Sequence, residues 1–292
     1  MYSIIINPLS GKGLAARTLP ALETLLCQMG IGYRVDQTVR MGDSRRLARK
    51  AAEDGLAGVI AVGGDGTFFE VVNGIGESGL EVIFAPCGTG NDFVKTFELP
   101  RGMVNAVRAQ LKSPRRKIDI GRLNDMYFLN VAGAGFDVDV LIEADRFKSR
   151  FRGMMAYLLG ALCAIKRLKP LKLMLEVDGG AARYIESTIL SVGNGRYIGG
   201  GMKALPHAIA DDGLFDVVVS RRVNKFSIAF LLLFFVLGVH VRMKWLCETF
   251  RCKRVRLTGE GIEVEADGER FSAGGEAEFS ILPRALNTRL PE

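Results

Sequence analysis

Histidine, paired cysteine and long apolar runs are scarce in this chain of 292 residues. The two histidines and five cysteines are scattered, and the pair Cys247 and Cys252 has no second pair or histidines at zinc-binding spacing. The pattern excludes a Cys/His metal site, and the odd number of cysteines predicts reduced thiols in a cytosolic protein. The first residues also lack the basic and apolar segments of a signal peptide.

The most apolar segment is short. Residues 228–239 carry no charge, but a membrane-spanning helix needs about 20 such residues. A buried helix is the simplest interpretation, and partial insertion into a membrane is the alternative. Basic residues border this run and a second apolar segment at 154–165. They are Arg146, Lys148, Arg150, Arg152, Lys166, Arg167, Lys169, Arg242, Lys244, Arg251, Lys253, Arg254 and Arg256.

This arrangement of charge is typical of a protein face that docks on an anionic membrane, although solvated surface charge is the alternative. The net charge of +7 agrees with a polyanionic partner. No aromatic-rich sheet motif or recognition helix accompanies the charge, which argues against nucleic acid.

The first 120 residues alternate between strand and helix signals. Short apolar strands that alternate with helices predict a doubly wound parallel sheet covered on both faces. Ligands of such sheets bind at the carboxyl ends of the strands. Strand signals lie at residues 3–7, 32–36, 58–62 and 82–85, and helix signals at 14–29, 43–53, 68–74 and 103–112.

The rest of the chain reads mainly as short strands joined by turns, with helical insertions near 147–169 and 225–250. The sequence therefore predicts an α/β domain at 1–120 and an all-β, sandwich-like domain at 121–282. Residues 283–292 are expected to form a tail that either packs back on the N-terminal domain or frays.

Residues 62–74, Val-Gly-Gly-Asp-Gly-Thr-Phe-Phe-Glu-Val-Val-Asn-Gly, are the most informative segment. A strand that runs into a glycine-rich turn and a helix presents backbone N–H groups to an anion. Glycines remove the Cβ atoms that would keep a phosphate at a distance. Asp65 can hold a cation that the phosphate also binds. The segment predicts a nucleotide-phosphate site with a metal.

Two further loops follow predicted strands at the same edge of the sheet. Residues 7–13, Asn-Pro-Leu-Ser-Gly-Lys-Gly, do not form a Walker A loop, because Gly13 stands where Ser or Thr is required. Residues 87–93, Cys-Gly-Thr-Gly-Asn-Asp-Phe, repeat the chemistry of the 62–74 segment and add the carboxylate of Asp92. Each loop alone could be an ordinary turn, but together they predict one phosphate site.

Two motifs in the second half are ambiguous on the residues alone. Asp211-Asp212-Gly213 suits either an oxygen-ligand cation site or a turn capped by aspartate. Residues 266–269, Ala-Asp-Gly-Glu, have the pattern of a hairpin turn, and the dipeptide alone predicts a structural role.

Taken together, these segments resemble the diacylglycerol kinase catalytic-domain family, and most closely its bacterial soluble lipid kinases. These are similar to sphingosine and ceramide kinases. The resemblance extends over essentially the whole chain in the family's order. Its motifs are residues 7–11, 63–67, 70–74, 88–93, 128–130, 135–137, 193–195, 199–202, 211–213 and 267–269.

The resemblance implies phosphorylation of a lipid hydroxyl by ATP with Mg²⁺. The active site would lie in a cleft between an NAD kinase-like nucleotide-binding domain and a β-rich lipid domain. The general base is expected in the 267–269 turn, as either Asp267 or Glu269, which overturns the structural interpretation of that turn. Asp65 and Asp92 are the candidate ligands of metal or metal-bound water.

The resemblance also assigns the remaining site residues. ATP contacts are implied for Asn7, Pro8, Ser10, Gly11, Thr38, Gly63, Gly64, Asp65, Gly66, Thr67, Glu70, Gly88, Thr89 and Asn91. A structural Mg²⁺ would be held by Asp212 with the backbone carbonyls of Ile209 and Leu214.

Two positions depart from the family's pattern. Phe68-Phe69 stands where Leu-Asn is usual, so a polar contact beside the nucleotide is expected to be missing. Cys87 stands where an aliphatic residue is common. Neither position touches the expected base.

Diacylglycerol is the expected substrate, taken at an anionic membrane surface by a cytoplasmic, peripherally bound protein on the inner face of the membrane. Another lipid (a sphingoid base, monoacylglycerol, phosphatidylglycerol or a polyprenol) stays open, as does a homodimer. The rival functions are a soluble-substrate kinase of the NAD kinase type and a non-catalytic lipid-binding protein.

Overall fold

The computed structural model describes residues 1–147, 150–151 and 154–291, which form two compact units. The first unit contains Met1–Asp119 and the segment that begins at Arg284, and the second contains Ile120–Pro283. Lys148 and Arg152 of the basic cluster lie outside the described residues.

The secondary structure alternates between strands and helices in the first unit and is dominated by strands in the second. The strands are β1 (Tyr2–Ile6), β2 (Tyr33–Gln37), β3 (Gly58–Gly63), β4 (Glu81–Pro86), β5 (Arg116–Leu123), β6 (Met126–Phe128), β7 (Val131–Gly135), β8 (Leu171–Val177), β9 (Arg183–Gly193), β10 (Phe215–Arg221), β11 (Cys247–Cys252), β12 (Arg254–Ala266) and β13 (Glu269–Thr288). The α-helices are α1 (Ser10–Gln28), α2 (Asp43–Glu53), α3 (Asp65–Ile75), α4 (Asp92–Lys95), α5 (Met103–Lys112), α6 (Phe136–Ala144), α7 (Met154–Ala164) and α8 (Ser227–Leu237). Two short 3-10 helices lie at Ile165–Arg167 and His240–Arg242.

The sheet of the first unit is built from parallel pairs in the order β4-β3-β1-β2. Every residue of β1 and β3 is buried, which explains why these strands are continuous apolar runs without alternation. Helices α1 and α5 pack on the sheet through side chains such as Leu22, Leu26 and Val107, and α2 and α3 contact each other and β3. The predicted mixed α/β fold is confirmed.

The residues assigned to a tail from sequence are part of this first unit. Asn287 and Thr288, at the end of β13, pair in parallel with Glu81 and Val82 of β4. The Arg289 guanidinium lies 3.1 Å from the buried carboxylate of Glu81. The C-terminal segment therefore supplies both a strand and a counter-charge to the sheet.

The second unit is an antiparallel arrangement of strands in the order β11-β10-β9-β7-β12-β13, with β8 paired to β9 and β12. Strand β12 is longer than the short strands expected here, and its register against β13 shifts between Thr258 and Ile262. A bulge of this kind bends a strand without ending it. The prediction of a β-rich, sandwich-like second half is confirmed.

Three helices share the core of the second unit. Ala161 and Ala164 of α7 pack in one cluster with Ile228 and Leu231 of α8 and with side chains of α6. Among the described residues, no helix combines the length and apolarity needed to cross a bilayer.

Candidate active site

The loop after β1 meets the loop after β4 at Gly11. Gly11, Lys12 and Gly13 all have left-handed backbone angles, so the regular part of α1 begins after Gly13. A Cβ atom at Gly11 would overlap the carbonyl oxygen of Cys87. Because glycine adopts this conformation without steric cost, it allows the two loops to touch.

The loops after β3 and β4 touch through a second pair of glycines. An ideal Cβ on Gly88 would lie 2.5 Å from the Cα of Gly64. Asn91 fixes this contact, since its Oδ1 accepts the N–H of Gly88 at 3.0 Å and its Nδ2 donates to the Gly88 carbonyl at 2.9 Å. The three predicted loops therefore meet at the carboxyl ends of β1, β3 and β4, as the order of motifs predicts.

Replacing Gly88 with Ala is expected to weaken ATP binding by about tenfold or more, because an added Cβ must push the Gly64 backbone away and widen the phosphate loop. ATP titration by calorimetry measures the effect. Gly32→Ala is the matched control in the same unit, because its Cβ meets nothing within 4 Å. Unchanged affinity in Gly88→Ala would contradict the assignment of this loop.

Asp65 and Asp92 flank a third glycine of these loops. An ideal Cβ on Gly90 would lie 2.7 Å from Oδ2 of Asp65 and 3.7 Å from Oδ2 of Asp92. The Asp65 carboxylate also accepts the N–H of Phe93 at 3.4 Å, and the Asp92 carboxylate is paired with Lys95 at 2.7 Å. Mg²⁺ is commonly held by one or two carboxylates together with substrate phosphates and waters. These two side chains fit that requirement.

Glu70 accepts hydrogen bonds from the backbone of a neighbouring loop. Its two carboxylate oxygens accept the N–H groups of Gly42 at 2.8 Å and Ser44 at 3.1 Å, so it orders the start of α2. Thr38, at the end of β2, is buried and donates its N–H to the carbonyl of Ile6 at 2.9 Å. The remaining predicted contact residues of this unit are Asn7, Pro8 and Ser10 after β1, Gly63 at the end of β3, Gly66 and Thr67 in the first turn of α3, and Thr89 after β4.

The unusual pair Phe68-Phe69 belongs to the core. Both side chains are buried, and Phe68 packs edge-on against Phe84 with the ring centroids 5.1 Å apart. Phe93 and Phe97 extend the same aromatic cluster. The pair therefore stabilises the helix that follows the glycine-rich turn. Cys87, the other unusual residue, is also buried, and this burial raises the pKa of its thiol to about 11.

In the second unit, Asp267 and Gly268 form the two-residue turn between β12 and β13. Both have positive φ angles, 50° and 86°, which is the geometry that favours Asp-Gly in hairpins. The hairpin expected from sequence is therefore present. The same turn places the carboxylate of Asp267 among backbone N–H groups.

The Asp267 carboxylate accepts backbone hydrogen bonds from three consecutive residues. Leu129 donates at 2.7 Å, Asn130 at 2.9 Å and Val131 at 3.2 Å. The side chain of Asn194 donates to the carbonyl of Leu129 at 3.1 Å. The motifs at 128–130, 193–195 and 267–269 thus converge on one carboxylate, whereas Glu269, at the start of β13, is exposed.

A second pair of carboxyl groups lies beside this turn, and the sequence reasoning missed it. Glu265 is fully buried, and its Oε2 accepts the N–H of Gly268 at 2.9 Å. Its cross-strand neighbour is Gly133, and the Oδ2 of Asp137 lies over Gly133, 2.5 Å from the ideal Cβ position. Since directly opposed residues point to the same face, both carboxyl groups share one buried space.

Each of these two carboxyl groups has one buried oxygen without a hydrogen-bond partner among the described residues. Burial, together with the charges of Asp137 and Asp267, raises the pKa of Glu265 well above its usual value. Burial likewise raises the pKa of Asp137 to about 7. The sequence around residue 265 gives no sign of this burial, because a glutamate in a strand of alternating polarity is expected to face solvent.

Asp212, the expected ligand of a structural Mg²⁺, is engaged by protein groups in this structure, and the metal site stays a prediction. The guanidinium of Arg251 pairs with Asp212 Oδ2 and lies 3.4 Å from Asp216, and Asp212 Oδ1 accepts the N–H of Leu214. The arginine supplies the positive charge that a cation would bring. In the described part of the chain, no three Asp, Glu, His or Cys side chains cluster as metal ligands.

The chain consists of an α/β unit and a β-rich unit, and comparison with known proteins gives the family. Residues 1–123 match the model of the diacylglycerol kinase catalytic domain. Residues 130–289 match the YegS C-terminal NAD kinase beta sandwich-like domain.

Similar proteins cover the full chain. The diacylglycerol kinase of Mycobacterium tuberculosis is 30% identical over 98% of this chain and 94% of its own length. That of Staphylococcus carnosus is 29% identical over 99% and 94%. The chain therefore belongs to the diacylglycerol kinase family, and the resemblance found in its motifs is confirmed.

Solved structures show the same fold. A diacylglycerol kinase from Bacillus anthracis str. Sterne has a TM-score of 0.76 at 23% identity, covering 99% of this chain and 96% of that one. An NAD kinase from Archaeoglobus fulgidus in complex with ATP has a TM-score of 0.55 at 14% identity, covering 100% and 94%. The predicted likeness to the NAD kinase fold is confirmed.

Proposed function

We propose that this protein transfers the γ-phosphate of ATP to the free hydroxyl of diacylglycerol and releases phosphatidic acid and ADP. Family membership makes it a lipid kinase. The observation that carries the ATP assignment is the contact of three glycine-rich loops, with two carboxylates at Gly90, in the first unit. Loops of this kind offer backbone N–H groups to phosphates.

In this proposal, the residues of the first unit bind and orient the nucleotide. The amides of the three loops hold the phosphate oxygens, and Asp65 and Asp92 are the oxygen ligands for Mg²⁺. When bound, Mg²⁺ would neutralise phosphate charge during transfer. Glu70 contributes indirectly, because it fixes the backbone of residues 42–44.

The residues of the second unit would position the lipid hydroxyl and accept its proton. Asp267 is the proposed base, because three backbone N–H groups hold its carboxylate in one place and proton transfer requires fixed geometry.

A cavity in the second unit suits the acyl part of the substrate. Apolar side chains such as Phe136, Leu158, Ile198 and Leu232 line it. Asp137 also lines this cavity, so a polar group of the lipid would meet a carboxyl group at its wall.

Labelled ATP with a panel of acceptors tests the proposal. With Mg²⁺ present, label is expected in phosphatidic acid from dispersed diacylglycerol, and chelation should abolish it. Monoacylglycerol, sphingosine, phosphatidylglycerol, a polyprenol and NAD are the other acceptors. Preferential labelling of one of these would overturn the substrate assignment, and failure to consume ATP with any acceptor would leave a lipid-binding protein.

A further inference from the structure

Helix α8 presents large apolar side chains to solvent. One side of the helix is buried in the second unit through Ile228, Leu231 and Phe235. The opposite side forms a stripe at spacings of four, three and four residues, which places its members on one face. This α8 stripe consists of Phe226, Phe230, Leu233 and Leu237, exposed by 86%, 63%, 52% and 56%.

An exposed tryptophan follows α8 in the same segment of the chain. Trp245, the single tryptophan of the chain, is 68% exposed and follows the 3-10 helix at His240–Arg242, which contacts α8. Aromatic side chains with a polar edge favour the boundary between hydrocarbon and water. Two phenylalanines, two leucines and one tryptophan are thus exposed on one segment. Ordinary protein surfaces expose apolar side chains singly and scattered.

The chain segment that carries the stripe has charge of one sign. No Asp or Glu occurs between Asp216 and Glu248, whereas five basic residues do: Arg221, Arg222, Lys225, Arg242 and Lys244. The segment that contains α7 repeats this pattern, since no acidic residue lies between Asp145 and Glu176. The Lys225 ammonium donates to the Lys166 carbonyl at 3.1 Å, so the two segments touch at this point.

Helix α8 is suited to lie on a bilayer and not to cross it. Its eleven residues extend roughly 16 Å, about half the thickness of the hydrocarbon core. An apolar face with basic neighbours is the arrangement that binds in the plane of an anionic interface. Its Leu232 and Phe235 also line the apolar cavity, so the same helix separates the exposed stripe from that cavity.

We propose that the α8 stripe and Trp245 insert into the surface of an anionic membrane, with the helix parallel to the bilayer plane and its basic neighbours on the lipid phosphates. This proposal deepens the proposed function, because it names the surface through which a lipid kinase would reach its substrate. It depends on exposed side chains and charge, and not on the chemistry of the active site.

Emission of Trp245 tests insertion directly, since no other tryptophan contributes. Vesicles of phosphatidylglycerol and phosphatidylcholine should shift the emission to shorter wavelength, and brominated acyl chains should quench it. Vesicles of phosphatidylcholine alone, or added salt, should weaken both effects. Unchanged emission with the anionic vesicles would overturn the proposal.

Paired variants identify the inserting side chains. Phe226→Gln with Phe230→Gln should lower vesicle co-sedimentation by at least tenfold without altering charge, because the apolar stripe is lost. Tyr184→Gln is the control, as it removes an exposed aromatic ring on β9 of the same unit. Wild-type binding by the double variant, or an equal loss in the control, would contradict the stripe's role.

Two further readouts separate this inference from its rivals and from the proposed function. With a water-soluble short-chain diacylglycerol, the double variant should turn over like wild type. If the wild-type protein binds vesicles but phosphorylates no acceptor, the docking surface is supported and the proposed function is wrong. If light scattering shows a wild-type dimer that the double variant dissociates, a second copy of the chain covers the stripe, and membrane docking is wrong.

Discussion

Asp267→Asn is expected to lower kcat by about 10²–10⁴-fold, the range typical of removing a general base, while ATP affinity changes little. The carboxylate is held by N–H groups of Leu129, Asn130 and Val131. An amide cannot accept all of these bonds, because one of its ends is itself a donor. Both the base and its positioning are therefore lost together.

Single-turnover kinetics with saturating diacylglycerol and ATP measure the effect, with ATP binding followed separately. Thermal unfolding is measured beside it, since the lost hydrogen bonds also lower stability. Glu269→Gln is the matched control, as Glu269 is exposed at the start of β13. A near-normal rate in Asp267→Asn, with a large loss in Glu269→Gln, would move the base to Glu269.

Asp137→Asn is expected to stabilise the protein at neutral pH. The pKa of Asp137 is raised by burial, and less by the charge of Asp139, from 3.8 to about 7. The unfolded chain therefore releases this proton near pH 4, whereas the native protein keeps it until about pH 7. The free energy of unfolding therefore falls by up to about 4 kcal/mol as the pH rises from about 4 to about 7.

Asparagine cannot ionise, so the variant should match wild type below pH 4 and gain stability progressively above it. Glu265 from β12, Asp139 on α6 and Tyr157 from α7 are titratable groups near Asp137, and none of them is substituted in this variant. Unfolding temperatures from pH 4 to 8 measure the difference. Asp125→Asn is the control, because Asp125 lies in an exposed turn. Parallel curves of unfolding temperature against pH for Asp137→Asn and wild type would contradict the prediction.

Features that depend on local chemistry were predictable from sequence. The glycines at 11, 64 and 88 occupy places where backbones touch or φ is positive, and only glycine tolerates these contacts. The Asp267-Gly268 hairpin follows from its dipeptide for the same reason. Each constraint selects glycine or Asp-Gly at its own position, so it leaves a mark in the sequence even where the backbone that it touches is distant in the chain.

Features that depend on distant partners were not predictable. Glu265 is buried because β7 and β12 bring Gly133 and Asp137 beside it. No pattern near residue 265 predicts this burial. Strand β13 runs on past Pro283, because β4 offers its edge to Asn287 and Thr288. The exposure of the α8 stripe likewise depends on which of its apolar faces the second unit covers.

The composition of the first unit has a consequence for biosynthesis. Its parallel sheet gains Asn287, Thr288 and the counter-ion Arg289 only after the ribosome has translated the whole second unit. Until then, Glu81 lacks one of its two arginine partners, and the edge of β4 is open to other strands. The nascent N-terminal part is thus expected to wait, incompletely assembled, for its own C-terminus, which makes chaperone capture and early proteolysis most effective during that interval.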